Sequence, residues 1–187
     1  MTPEESKLLT QVGRGTPMGD LFRRFWIPAL ILSGTGYLPT RDAMKVWAKR
    51  YAEEGLELRY KQCLDHFSPA SQKLPHVQYY ARMVCELNNP STLQSIIGMN
   101  EALARDPEPD SFFLELIMPT IIISGNADRN HAAAKELHKH IKTSSFHEID
   151  GAGHAVMQEA PWQYDQISIA FLAKLGLWPG EPPQPAR

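Results

Sequence analysis

The apolar run Ile121-Ile122-Ile123 stands between Pro119 on one side and Gly125-Asn126 on the other. An unbroken run between turn-forming residues predicts a strand buried on both faces, as in a parallel sheet. Ala29-Leu30-Ile31-Leu32, closed by Ser33-Gly34-Thr35-Gly36, predicts a second strand. Ser145-Phe146-His147-Glu148-Ile149-Asp150, closed by Gly151-Ala152-Gly153, predicts a third. Helical spacing appears between and after these runs. Ala134, Leu137 and Ile141 share one face of a helix over 131–142, and Ile167, Phe171 and Leu175 one face over 161–175. Pro161 suits the first turn of the latter and Gly176 its stop.

The stretch from 41 to about 110 is helical throughout by the same test. Met44, Trp47 and Tyr51 form one face, and Gly55 interrupts it. Leu56, Tyr60, Cys63, Leu64 and Phe67 form the next, ended by Ser68-Pro69. Val77, Tyr80, Val84 and Leu87 form a third, and Asn89-Pro90 opens a fourth carrying Leu93, Ile97 and Asn100. Buried packing is the expected use of most of these positions, with some left to line a pocket. The fold class expected is α/β: a short parallel sheet with a helical insertion that caps it. Residues 106–110, rich in Pro and Asp, lead back to the sheet.

Composition narrows the function classes. A chain of 187 residues, 43% hydrophobic and 21% charged, supports one globular domain with a real core. A formal net charge of -2 supplies no electrostatic reason to bind nucleic acid or an anionic membrane. No apolar run reaches the roughly 20 residues of a membrane span, and no signal-peptide pattern is seen. Cys63 and Cys85 fall in expected helices and read as reduced, partly buried thiols, so a cytoplasmic location is expected. Cys63-Leu64-Asp65-His66 has half the spacing of a metal site, but no Cys-x-His precedes it and no His closely follows Cys85. It is expected on a helix surface. His131, His138, His140 and His147 are not spaced to converge on one ion, so no metal is assigned. Gly13, Gly15 and Gly19 lack the Gly-Lys-Ser/Thr ending of a phosphate loop, and no cofactor is expected.

The chemistry sits just past the strands. Asp128 follows the run 121–123 and His154 follows Gly151-Ala152-Gly153, the carboxyl ends where open parallel sheets place reacting groups. Taken singly, Asp128 also suits a turn acid and His154 a loop histidine. Taken together, at matching ends of consecutive strands, an Asp and a His are delivered to the same edge of one sheet.

Ile121-Ile122-Ile123-Ser124-Gly125-Asn126-Ala127-Asp128 followed by Gly151-Ala152-Gly153-His154 resembles the C-terminal half of an α/β-hydrolase of the enol-lactonase and esterase branch. The resemblance covers 29–178 as a partial domain, with the cap at about 37–112. It implies hydrolysis of a carboxylic ester or lactone held under the cap, with His154 as base and Asp128 as its orienting acid. The chain departs from that family at the nucleophile. No Gly-x-Ser-x-Gly turn occurs, and Gly15-Thr16-Pro17-Met18-Gly19 has proline at its centre. Ser33 and Ser124, near strand ends, are the nearest substitutes, and the His-Gly-type oxyanion loop is absent. The expectation is therefore a hydrolase relative without turnover on its own. The alternative is a non-catalytic module that docks through an exposed sheet edge, on another chain or on a second copy of itself.

Residues 1–28 have a different character. Leu8-Leu9-Thr10-Gln11-Val12-Gly13, Gly15-Thr16-Pro17-Met18-Gly19 and Phe25-Trp26 with Pro28 are similar to the start of phthalate-type Rieske oxygenase large subunits. The cluster ligands of such proteins are missing, so the stretch is expected to be a leader without oxygenase chemistry. Residues 179–187, rich in proline, are expected to be a loose tail.

Overall fold

The computed structural model describes residues 27–37, 42–87, 93–105, 113 and 116–180. Most of the expected leader and most of the proline-rich tail lie outside the described residues, as do the turn at 88–92 and the link at 106–110.

Three strands form one wholly parallel sheet in the order β1-β2-β3, with β1 Leu30–Ser33, β2 Thr120–Gly125 and β3 Ser144–Ile149. The register pairs Ile31 with Ile121 and Ile121 with Ser145. β2 is central, and every one of its residues is buried. That explains its unbroken apolar run, since neighbours cover both faces and both edges.

Side chains alternate along β2 into two cores. Ile122 meets Leu116, Met118, Ala134, Leu137 and Ile141 on one face. These residues belong largely to α5, His131–His140, and its flanks. Ile121 and Ile123 meet Ile149, Ala152 and Val156 on the other, with Ile167 and Phe171 partly buried against them. This second face is covered by α6, Val156–Glu159, and α7, Pro161–Lys174. α7 stops as expected at Gly176, which has φ +70. The Gly176 N–H donates to the Ala173 carbonyl and the Leu177 N–H to the Leu172 carbonyl, the paired bonds of a Schellman ending.

Between β1 and β2 lies the cap: α1 Asp42–Glu54, α2 Glu57–Leu64, a 3₁₀ turn at Ser71–Lys73, α3 Pro75–Leu87 and α4 Leu93–Arg105. Its own small core holds Tyr51, Leu58 and Ile96. Gly55, at φ +70, makes the break between α1 and α2 that no β-carbon residue adopts without strain.

The differences from expectation have simple causes. α5 ends at His140 because Ile141 turns extended to fill the core ahead of β3. α6 has only four residues, too short for its period to be read from sequence. Leu87, expected on the buried face of α3, is 69% exposed at that helix's last residue. Among the described residues no helix is long and apolar enough to cross a membrane.

Candidate functional site

The loops after β2 and β3 are stitched together. The Asn126 side chain donates to Asp150 (2.6 Å) and accepts the Gly151 N–H (2.8 Å), while the Ala127 N–H reaches the Ala152 carbonyl (2.9 Å). Gly125 permits this approach, since a β-carbon there would fall 2.0 Å from the Ala152 carbonyl oxygen. The seam puts His154 Nδ1 3.1 Å from Asp128 Oδ2. Asp128 Oδ1 meanwhile accepts the Asn130 N–H at 2.8 Å. The turn acid and the histidine partner weighed from sequence are thus the two oxygens of one carboxylate.

Burial works against the Asp128 charge, but the bonds from His154 and the Asn130 N–H outweigh it and hold the acid below its ordinary range. An ionised carboxylate only accepts, so Nδ1 of His154 carries the proton and Nε2 keeps the lone pair that a base uses.

Several residues of this neighbourhood carry no readable signal in sequence. Gly34, at φ +59, lies so close to His154 that a β-carbon would come within 3.1 Å of the imidazole. Its place in a glycine-rich turn after β1 was visible, but its contact was not. Glu159 accepts the Gly153 N–H (2.7 Å), the Ser68 hydroxyl (2.6 Å) and the Ser68 N–H (3.0 Å). The Ala155 N–H donates to the His66 carbonyl at 2.7 Å. The cap is therefore pinned to the loop that carries His154.

The pinning corrects the expectation for Cys63 and His66. They face inward, not onto a helix surface, because the end of α2 packs against the His154 loop. Cys63 is buried, and burial pushes its thiol up. The His66 ring lies 4.9 Å from the His154 ring. Burial first, then the charges of His154 and Arg129, lower its pKa to about 4, so His66 is neutral at pH 7. A cavity of about 280 Å³ opens here, lined among others by Ser33, Arg59, His66, Phe67, Tyr80 and His154.

The two substitute serines part company. Ser33 lines the cavity, with its hydroxyl 2.7 Å from the Tyr164 hydroxyl. Ser124 is fully buried, 3.1 Å from His131 Nδ1, whose Nε2 is 2.9 Å from Glu148. This Ser–His–Glu chain has the connectivity of a catalytic triad, but its serine is inaccessible, and it ties β2 to α5 and β3. Among the described residues no group of three or more His, Cys, Asp or Glu is arranged to hold a metal.

No protein-family model matches the sequence, and no curated protein does. Solved structures do. An α/β hydrolase enzyme from a Medee basin deep-sea metagenome library aligns with TM-score 0.67 at 18% identity, over 79% of this chain and 56% of that one. The enol-lactonase of Burkholderia xenovorans gives 0.66 at 17%, over 79% and 56%. An esterase of Exiguobacterium antarcticum gives 0.64 at 14%, over 78% and 57%. The chain thus spans little more than half the length of these neighbours. Its described residues have the fold of part of an α/β hydrolase: a short parallel sheet with a helical cap.

Proposed function

We propose that this chain is the cap-and-base portion of a carboxylic ester or lactone hydrolase, with His154 as general base and Asp128 as its orienting acid. The supporting observation is the 3.1 Å contact between them beside a cap-covered cavity. Asp128 sets the tautomer and offsets the charge that His154 gains on taking a proton. The domain division proposed is a leader at 1–28, the hydrolase portion at 29–178 and a tail at 179–187.

No nucleophile elbow occurs in the sequence, Ser124 is inaccessible, and Ser33 is engaged with Tyr164. Loss of a triad member lowers turnover by about four orders of magnitude or more, so the chain alone is expected to leave p-nitrophenyl butyrate unhydrolysed. A fluorophosphonate probe is expected to leave Ser33 unlabelled. Stoichiometric labelling at Ser33, abolished by His154→Ala, would show that a nucleophile is present after all. The pair itself is read by imidazole ¹⁵N shifts, with protonation at Nδ1 expected in the native chain and lost in Asp128→Asn. Shifts unchanged by that substitution would remove the base assignment.

A second reading, a docking module, has one observation in its favour. β1 pairs only on its β2 side among the described residues, leaving an open parallel edge.

A further inference from the structure

Arg59 is unlike every other feature of the cavity. It lines the space under the cap, and its buried Nε has no hydrogen-bond partner among the described residues. One of its terminal nitrogens donates to Gln62 Oε1 at 3.2 Å, an amide oxygen without formal charge that also accepts from Tyr51. Among the described residues no carboxylate pairs with it. The arginines nearby do have acidic partners: Arg50 holds Glu54, Arg82 holds Glu57, and Arg129 reaches Asp65. A half-buried guanidinium on a cavity wall, with a neutral amide as its side-chain partner, keeps its charge and terminal donors for an anion.

The surroundings indicate what that is. Among the described residues no carboxylate lines the cavity. Burial first keeps the His66 ring neutral there, and the charges of Arg129 and Arg59 act in the same direction, against that of Asp128. Phe67, Val84 and Met157 supply apolar wall, while Ser33, Tyr80 and Gln158 supply polar groups. The Arg59 charge, its terminal donors and the apolar flanks suit a small molecule with a carboxylate at one end and a hydrocarbon body.

We propose that the cavity is an anion-selective acyl site in which Arg59 holds the carboxylate of a small carboxylic acid or of an ester or lactone bearing a free acid group. The proposal deepens the hydrolase reading, since it takes the same cavity as the ligand site, but it concerns charge recognition and needs no turnover.

The test compares hexanoate with methyl hexanoate at pH 7, titrated into the full chain and followed by NMR at the His66 and His154 rings. A charge-assisted contact predicts tighter binding of the acid by about tenfold or more. Arg59→Gln, which keeps side-chain length and donors without the charge, should erase the preference while leaving the ester's affinity unchanged. Arg59→Lys, which keeps the charge, should retain it in part and serves as the folded control. Equal affinity for acid and ester in the native chain, or a preference that survives Arg59→Gln, overturns the proposal. If the acid binds with the predicted preference while the ester leaves both rings unmoved, the anion site stands and the ester-hydrolase reading of the cavity falls.

Discussion

At the scale of single residues, the site is a set of charges placed in and out of water. Asp128 and His66 are both shifted downward, and their consequences occupy adjacent pH ranges. His66 falls from an ordinary 6.5 to about 4 on folding. Between those values the unfolded chain binds a proton that the folded chain refuses, so stability rises with pH across the window and is lost as pH falls. Asp128 acts below that window, giving stability that is present above the ordinary carboxylate value and lost as pH drops beneath it. Urea unfolding at pH 7, 5.5 and 4.5 should therefore show native stability falling faster than that of His66→Gln. Parallel curves for the two proteins would mean that the ring is open to water. Asp128 and His154 were legible in sequence because each follows a strand and a turn. His66 and Glu159 were not, since their partners lie across the fold: Glu159 meets Ser68 at a separation of 91 residues. Local pattern carries no trace of such contacts.

At the scale of elements, the largest surprise is how much a helix of four residues holds. α6 presents Glu159 to the Gly153 and Ser68 amides and to the Ser68 hydroxyl. Gly153 lacks a β-carbon where one would stand 2.5 Å from the Ser68 nitrogen, so cap and loop are in backbone contact there. The long strands and helices were readable from their periods, down to the Gly176 stop. α6 was hidden because one turn is shorter than the period that would reveal it. Glu159→Ala strips several donors of their acceptor at once, and an unmet buried donor costs about 1–3 kcal/mol. The expected result is a comparable loss of stability, together with faster hydrogen exchange at the Gly153, Ala155 and Ser68 amides. Glu159→Gln, retaining one acceptor oxygen, should fall between the two. Exchange at those amides unchanged in Glu159→Ala would show that the cap is held by packing alone.

At the scale of the whole molecule, the three-strand sheet is open where β1 ends it. The Leu30 N–H donates to Pro119 and the Gly34 N–H to Ile123, so the alternation of a parallel ladder turns the Ile31 and Ser33 amides to the far side. No strand pairs there among the described residues. β1 is only half-buried, whereas β2 is wholly so. Three strands are the low end for a stable sheet, and an unpaired edge of this kind templates further pairing. The chain is therefore expected to associate through β1 as its concentration rises. Ile31→Pro removes an outward N–H without touching the ladder to β2, the one place where proline is tolerated in an edge strand. Ile31→Val keeps that N–H with nearly the same packing against the Ile121 and Ile123 core. Light scattering over a dilution series should show association in the native chain and in Ile31→Val but not in Ile31→Pro, with circular dichroism confirming that all three fold. A native chain that stays monomeric at every concentration would mean the β1 edge is satisfied within the molecule. The docking reading would then lose the observation it rests on, while the Asp128–His154 pair, held by the loops after β2 and β3, would stand unaffected.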